Sequence, residues 1–445
     1  MSLLQTSSRE RADPVLPDPI TGPTDSYRLA RSFLILMSLA VVDVFNVMDR
    51  GVIASVNDGP SGTSPVRYLV LLIPILTIIV IRMREPSLLV RSPAVTDVVL
   101  GILYLLGMGG SFFGVAFLGT QDTVRPAFLP MILGLLYLFT LREPTDREVG
   151  RTMTWLGWIG LVYVVMNAAV NLEILPGLLQ YKQYRNASFA FVALAIGAAF
   201  VTGRRRRLLL ISVLAVIIFV TYPSATSLLI ILSVFLTLFL TGRRATGLRS
   251  LVVTGLVLLF AVFAIANFQE GVKLTSDYFS AVGKVDANAG RIDLWTSGIE
   301  KFQRSPLIGT AFSGSAVAVR SRDQKALPYH NDFVLFAAEG GLMGIGLLLG
   351  WIVLTEITIV RRYRRFVRMG QQDRADLLRV ILVCLNAVFV AMLFNPVLPG
   401  ASRSATVFGL YAIAMSLGDP GLTRRVEGAD AVRALGLSEP AAPSS

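Results

Sequence analysis

Apolar residues fill long stretches of this chain, separated by short polar links. The stretches fall at roughly 32–48, 68–82, 97–118, 127–141, 153–170, 187–202, 208–223, 225–241, 250–267, 333–358, 377–396 and 404–418, each near the about 20 residues that a helix needs to cross a bilayer core. A backbone in lipid must satisfy its own hydrogen bonds, as helices or as a closed barrel. Strict alternation of apolar and polar positions is absent, so the pattern predicts helices. The expected fold is an all-α, polytopic transmembrane bundle of about twelve spans. The stretches at 127–141, 187–202 and within 208–241 are short or abut one another, which leaves the count open there.

One long polar segment, 268–332, interrupts the series between the ninth and tenth spans. Within it Ile292, Trp295, Ile299 and Phe302 recur at helical spacing while Asp293, Glu300 and Lys301 point elsewhere, predicting an amphipathic helix that Pro306 ends. With Trp295 on its apolar side, such a helix lies at the lipid interface or caps the bundle. The chain therefore divides into a tail at 1–27, spans one to nine at 28–267, a partly helical outer-face loop at 268–332, three further spans at 333–418, and a second tail at 419–445. The first tail is rich in Pro, Ser, Thr and Asp and lacks the apolar core of a signal peptide, so it is expected to be disordered and cytosolic. In the tenth span Gly340 with Gly344, and Gly346 with Gly350, have the small-xxx-small spacing that lets helices pack closely.

Composition agrees with a membrane protein: 54% of residues are hydrophobic and only 16% charged, against roughly 25% charged in soluble domains. The formal net charge of +12 does not point to nucleic acid, because most arginines sit in alternate short links and the two tails, with nine falling in the other links. With a cytosolic N-terminus, the inner links hold Arg82, Arg84 and Arg91; Arg142, Arg147 and Arg151; Arg204 to Arg207; Arg243, Arg244 and Arg249; and the cluster from Arg361 to Arg379. All the lysines (Lys182, Lys273, Lys284, Lys301 and Lys325) fall outside. This positive-inside alternation puts both termini in the cytosol and 268–332 on the outer face, where no nucleotide sugar is available. The lone Cys384 permits no disulfide within one chain.

His330, the only histidine, follows Pro328 and directly precedes the tenth span, so it is expected in the first turn or cap at the outer helix end. A helix N-terminus favours an anion such as phosphate beside it and disfavours the imidazolium, keeping the ring neutral and able to take a proton. A plain interfacial hydrogen-bonding role is the alternative. Arg291, after Gly290, has the planar fork that chelates phosphate, or else pairs with Asp286 or Asp293. Arg185, at the outer mouth of the sixth span, is a second candidate clamp or a snorkelling cation. No phosphate loop, His-Glu-x-x-His, Cys/His cluster or Gly-x-Ser-x-Gly elbow is present, and no metal or cofactor is expected. Few carboxylates, Asp43 and Glu356 among them, lie inside spans, which is poor material for a proton-coupled transporter.

Two blocks then stand out. Arg291-Ile-Asp-Leu-Trp-Thr-Ser-Gly-Ile-Glu-Lys-Phe-Gln-Arg-Ser-Pro-Leu-Ile-Gly is followed by Tyr329-His330-Asn331-Asp332-Phe333 and Glu339-Gly-Gly-Leu-Met-Gly. Together they resemble the signature of the bacterial O-antigen ligase and polysaccharide polymerase family over residues 185–360. The resemblance implies a glycosyltransferase of the cytoplasmic membrane whose donor is an undecaprenyl-pyrophosphate-linked glycan and whose acceptor is a saccharide or lipid-linked saccharide. It implies His330 as catalytic base and Arg291, Arg185 and Asn331 as pyrophosphate-binding residues. A chain-length regulator or other polysaccharide-assembly proteins are further expected partners, besides the bilayer. Arg185 is followed by Asn-Ala-Ser-Phe where members often continue toward Pro-Asn, and Tyr222-Pro-Ser-Ala-Thr-Ser lacks a Ser-Arg pair found in many of them. Polymerase leads among the expectations, with ligase second. A lipid-linked glycan flippase and an envelope scaffold are the readings from other classes.

Overall fold

A computed structural model describes residues 25–42, 71–85, 90–118, 125–140, 143–171, 232–234, 236–238, 240–241, 287–314, 318–319, 326–327, 329, 331–394, 397–398 and 401–418. These residues form helices α1 (Asp25–Val42), α2 (Leu72–Arg84), α3 (Val95–Phe117), α4 (Asp146–Asn171), α5 (Ala287–Arg304), α6 (Asp332–Arg368), α7 (Gln372–Met392) and α8 (Ala401–Ser416). A run of one-turn helical pieces spans 125–139, and Ala318–Val319 (β1) pairs antiparallel with Ala326–Leu327 (β2). By length and composition α3, α6 and α7 can each cross a membrane. The predicted spans 187–202, 208–223 and 250–267 lie outside the described residues, as do both expected tails apart from the first residues of α1.

The core forms where glycines admit large side chains from neighbouring helices. Gly409 of α8 lies so close to α1 that a Cβ would stand 3.0 Å from Met37 Cε and 3.4 Å from Phe33 Cβ. In α3 a Cβ on Gly107 would overlap the Phe128 ring at 2.1 Å. Trp351, buried on α6, packs on Phe389, Phe408 and Tyr411 with ring centroids 6.0, 5.5 and 5.4 Å apart. Helix α7 is buried on nearly every side, whereas α3 and α6 expose Leu105, Phe112, Phe113, Leu349 and Val353. Continuous apolar exposure on long helices is the surface that lipid covers.

Two expectations are corrected. The stretch 127–141 is not one helix but alternating single turns, Arg125–Phe128, Leu129–Met131, Ile132–Leu135 and Leu136–Phe139, because Pro130 has no N–H to continue a regular ladder. The tenth span does not end near 358: α6 continues through the arginine cluster to Arg368. No Gly or Pro interrupts 351–369 and arginine is a good helix former. The helix stops at Gly370, with φ +70°, where Gln371 N–H reaches back to Phe366 O at 3.0 Å, a left-handed C-terminal cap.

Several arginines fasten helix ends. Arg362 donates to the carbonyls of Ala414, Met415 and Leu417 at 3.2, 2.7 and 2.5 Å, and Arg91 donates to Ser416 O at 3.2 Å and to Thr140 O. Both guanidinium groups therefore meet the C-terminal end of α8, where the helix dipole is negative. Arg374 is forked between Glu143 at 2.6 Å and Asp146 at 2.9 Å. The regular part of α6 from Leu342 to Arg368 spans about 40 Å at roughly 1.5 Å per residue, so these contacts lie far along the bundle from Asp332. At that other end Asp332 Oδ2 accepts the N–H groups of Val397 at 2.9 Å and Leu398 at 3.0 Å.

Candidate active site

Helix α6 is broken near its N-terminal end. Gly341 has φ 59° and ψ −153°, a conformation open almost only to glycine, and it separates a short first segment, 332–340, from the long remainder. A break exposes backbone groups that must be satisfied when buried. Here the turn after α5 supplies the partners: Leu342 N–H donates to Pro306 O at 2.7 Å, Met343 N–H to Leu307 O at 3.1 Å, and Phe312 N–H to Glu339 O at 2.9 Å. The fit leaves no room for side chains at the contact. A Cβ on Gly341 would lie 2.5 Å from Leu307 C, and one on Gly309 (φ +56°) 2.6 Å from Ala338 O. The Pro-Leu-Ile-Gly and Glu-Gly-Gly blocks of the sequence are thus two halves of one joint.

The joint has a polar lock and an aromatic anchor. Glu339 is fully buried, and its Oε2 accepts Thr310 Oγ1 at 2.5 Å and Gly314 N at 3.1 Å. Ala311 and Phe312 adopt left-handed φ values of 53° and 60°, uncommon for residues with a Cβ. Phe312 is held there by edge-on packing against Phe128 (4.9 Å) and Phe336 (6.0 Å). Its ring fills the space over Gly340, where a Cβ would come within 2.2 Å of Phe312 Cζ. The Gly340/Gly344 pair therefore receives a phenylalanine from the turn and not a neighbouring helix, while Gly346 and Gly350 have nothing within 4 Å of an added Cβ.

Helix α5 runs parallel to the first segment of α6. A Cβ on Gly298 would meet Val334 Cγ1 at 2.4 Å and the Tyr329 ring at 3.0 Å, and one helical stretch later Pro306 and Leu307 reach Leu342 and Met343. The buried stripe of α5 is Leu294 and Gly298, whereas Ile299, expected on the apolar face, is 50% exposed. Hydrophobic periodicity misses this stripe because one of its two members, Gly298, has no side chain. Glu339's charge bears on both neighbours across the contact. Burial raises the Tyr329 hydroxyl out of its ordinary range, with Glu339 adding to the effect. Burial lowers the Lys301 ammonium, Glu339 opposes that, and Arg304 reinforces it.

Of the residues singled out from sequence, Arg291 has its backbone in α5, two turns before Gly298 and on the same side at seven-residue spacing. Its side chain lies outside what the structure describes. His330 and Arg185 lie outside the described residues. The cap of α6 is Asn331 and not His330: Asn331 Oδ1 accepts Val334 N at 3.1 Å, and its Nδ2 donates to Leu393 O at 2.8 Å, the usual duty of an Asn at this position. The residues before and after position 330, Tyr329 and Asn331, are both buried. Glu339, Thr310 and Phe312 were not legible as a set. Their only signal was a Gly-Gly pair following a carboxylate inside an otherwise uninterrupted apolar span.

Long apolar helices, one of them broken, with a polar helix docked beside the break, define a helical membrane protein. Residues 224–349 match the family described as O-antigen ligase, which supports the resemblance to the O-antigen ligase and polymerase family over that segment. The matched segment contains α5, the turn, the strand pair and α6 as far as Leu349. A comparison with curated proteins gives no match.

Proposed function

We propose that this chain is a surface-polysaccharide polymerase that transfers glycan from an undecaprenyl-pyrophosphate-linked donor on the outer face of the cytoplasmic membrane, with about twelve spans, both termini cytosolic and 268–332 outside. What carries the reading is that the family match coincides with the unit in which α5, bearing Arg291, packs parallel to the residues flanking His330. The acceptor hydroxyl attacks the anomeric carbon, the bond from that carbon to the pyrophosphate oxygen breaks with its electron pair on the oxygen, and His330 takes the hydroxyl proton. Arg291 and Arg185 stabilise the leaving charge in place of a metal. Asn331 lends its second amide N–H to the pyrophosphate, the first being engaged with Leu393 O. Transfer to a lipid core by the same chemistry, the ligase reaction, is the alternative for the acceptor.

Such an enzyme needs no divalent cation and no nucleotide. The purified full-length protein, given lipid-pyrophosphate-linked glycan extracted from its own host, should form product equally well with EDTA. Product that vanishes on chelation and returns with Mg²⁺ would contradict the arginine mechanism, and product made from nucleotide sugar alone would contradict the donor.

A further inference from the structure

Glu339 ties together several parts of the matched segment. Its carboxylate takes the Thr310 hydroxyl and the Gly314 N–H, its carbonyl takes the Phe312 N–H, and it lies close enough to act electrostatically on Lys301 of α5 and on Tyr329, the residue before His330. The helix carrying Arg291, the turn that follows it and the approach to His330 therefore converge on one buried side chain. Helix α5 has no covalent tie to α6 nearer than that turn and the 315–331 link. Its position along α6 is set where Pro306–Phe312 seats in the break, and the seat is closed by Thr310 and Glu339. The two residues stand 29 apart in sequence, so the bond between them fixes a tertiary relation and not a local turn.

We infer that Glu339 is a positioning residue of the transfer reaction: by locking the 306–314 turn into the break of α6, it holds the Arg291 helix at the height of the His330 segment. The inference rests on the reading of Arg291 and His330 as the working pair. A hydrogen bond to a buried carboxylate is a strong one, and a small misplacement of a clamping arginine is enough to cost a large factor in rate.

The test separates geometry from turnover. Geometry is read from a disulfide between Gly298→Cys and Val334→Cys. Their Cβ atoms would stand within about 4 Å, inside the range a disulfide needs, and Cys384 is buried and does not compete. Turnover is read without those cysteines, as polymer or transfer product per inserted molecule in a deletion strain carrying the full chain. Thr310→Val, which loses the donor but keeps the shape, is expected to lower product roughly tenfold and to slow the cross-link several-fold. Thr310→Ser restores both, and Glu339→Gln loses more than Thr310→Val in both readouts. If Glu339→Gln fails to insert, the Thr310 pair decides the matter. A cross-link that forms at the normal rate in Thr310→Val and Glu339→Gln overturns the lock, whatever the product level. A slowed cross-link with normal product keeps the lock but overturns the pairing of Arg291 with His330.

Discussion

Exchanging His330 for Gln is expected to lower product per inserted molecule by about two orders of magnitude or more. Gln keeps nearly the size and the hydrogen-bonding capacity of the ring but cannot accept the proton of the attacking hydroxyl. Binding of the donor should survive the change, because the pyrophosphate is held by arginines. Arg291→Lys is the companion variant: it keeps the charge but loses the two-pronged fork, and it should remain badly impaired. A histidine that merely hydrogen-bonds at the membrane interface predicts the reverse, with Gln tolerated and any loss explained by less protein in the membrane. Quantifying product against inserted protein for both variants distinguishes the two outcomes, and near-normal product from His330→Gln removes the histidine from the mechanism.

The second large effect is expected at Gly341, which has no side chain to offer a substrate. Alanine there meets two obstacles. The backbone conformation, φ 59° and ψ −153°, costs a residue with a Cβ on the order of 1–3 kcal/mol. The new methyl would also stand 2.5 Å from Leu307 C and 2.6 Å from Gly309 N, both backbone atoms of the docked turn that no rotamer change can move. Either the turn leaves the break or α6 straightens, and in both cases α5 loses its seat. Gly341→Ala should cut product at least about a hundredfold or prevent accumulation in the membrane, by the mechanism of strain at a special backbone position. Gly346→Ala and Gly350→Ala are the matched controls on the same helix: both meet open space, and Ala is the better helix former by about 1 kcal/mol. Ordinary product and ordinary accumulation from Gly341→Ala would show that the broken helix is not required.

How much of this was legible beforehand follows from what a sequence pattern can encode. Apolar length located α1 to α4 and α6 to α8 as helices, because a long apolar run is written in each segment by itself; of these α3, α6 and α7 are long and apolar enough to cross a membrane. The helix at 287–304 and its stop before Pro306 were legible from helical spacing and the proline that follows. The break in α6 was not. Its cause is shared between Gly341 and a turn more than thirty positions earlier in the chain, and an apolar run that contains two adjacent glycines reads as a span whether or not it bends. The stripe of α5 was misplaced onto Ile299 because Gly298, the residue that lets Tyr329 and Val334 in, contributes nothing to a hydrophobic pattern. The arginines show a different limit. Their alternation was read as topology, yet Arg91, Arg362 and Arg374 also fasten helix ends, and a count of charges cannot distinguish a charge facing water from one satisfying carbonyls. The resemblance in the Pro-Leu-Ile-Gly and Glu-Gly-Gly blocks carried that three-dimensional information without revealing it; only their contact shows why both are there.

The chain is proposed to join glycans outside the membrane and not to move them across it. The most direct measurement is the fate of lipid-linked intermediates in a strain lacking the gene, with the face of the membrane determined by the accessibility of the glycan to an impermeant enzyme or lectin added to spheroplasts. Single lipid-linked units are expected to accumulate on the outer face and long-chain product to disappear. Units trapped on the inner face, with none reaching the outside, would contradict it and make the chain a flippase.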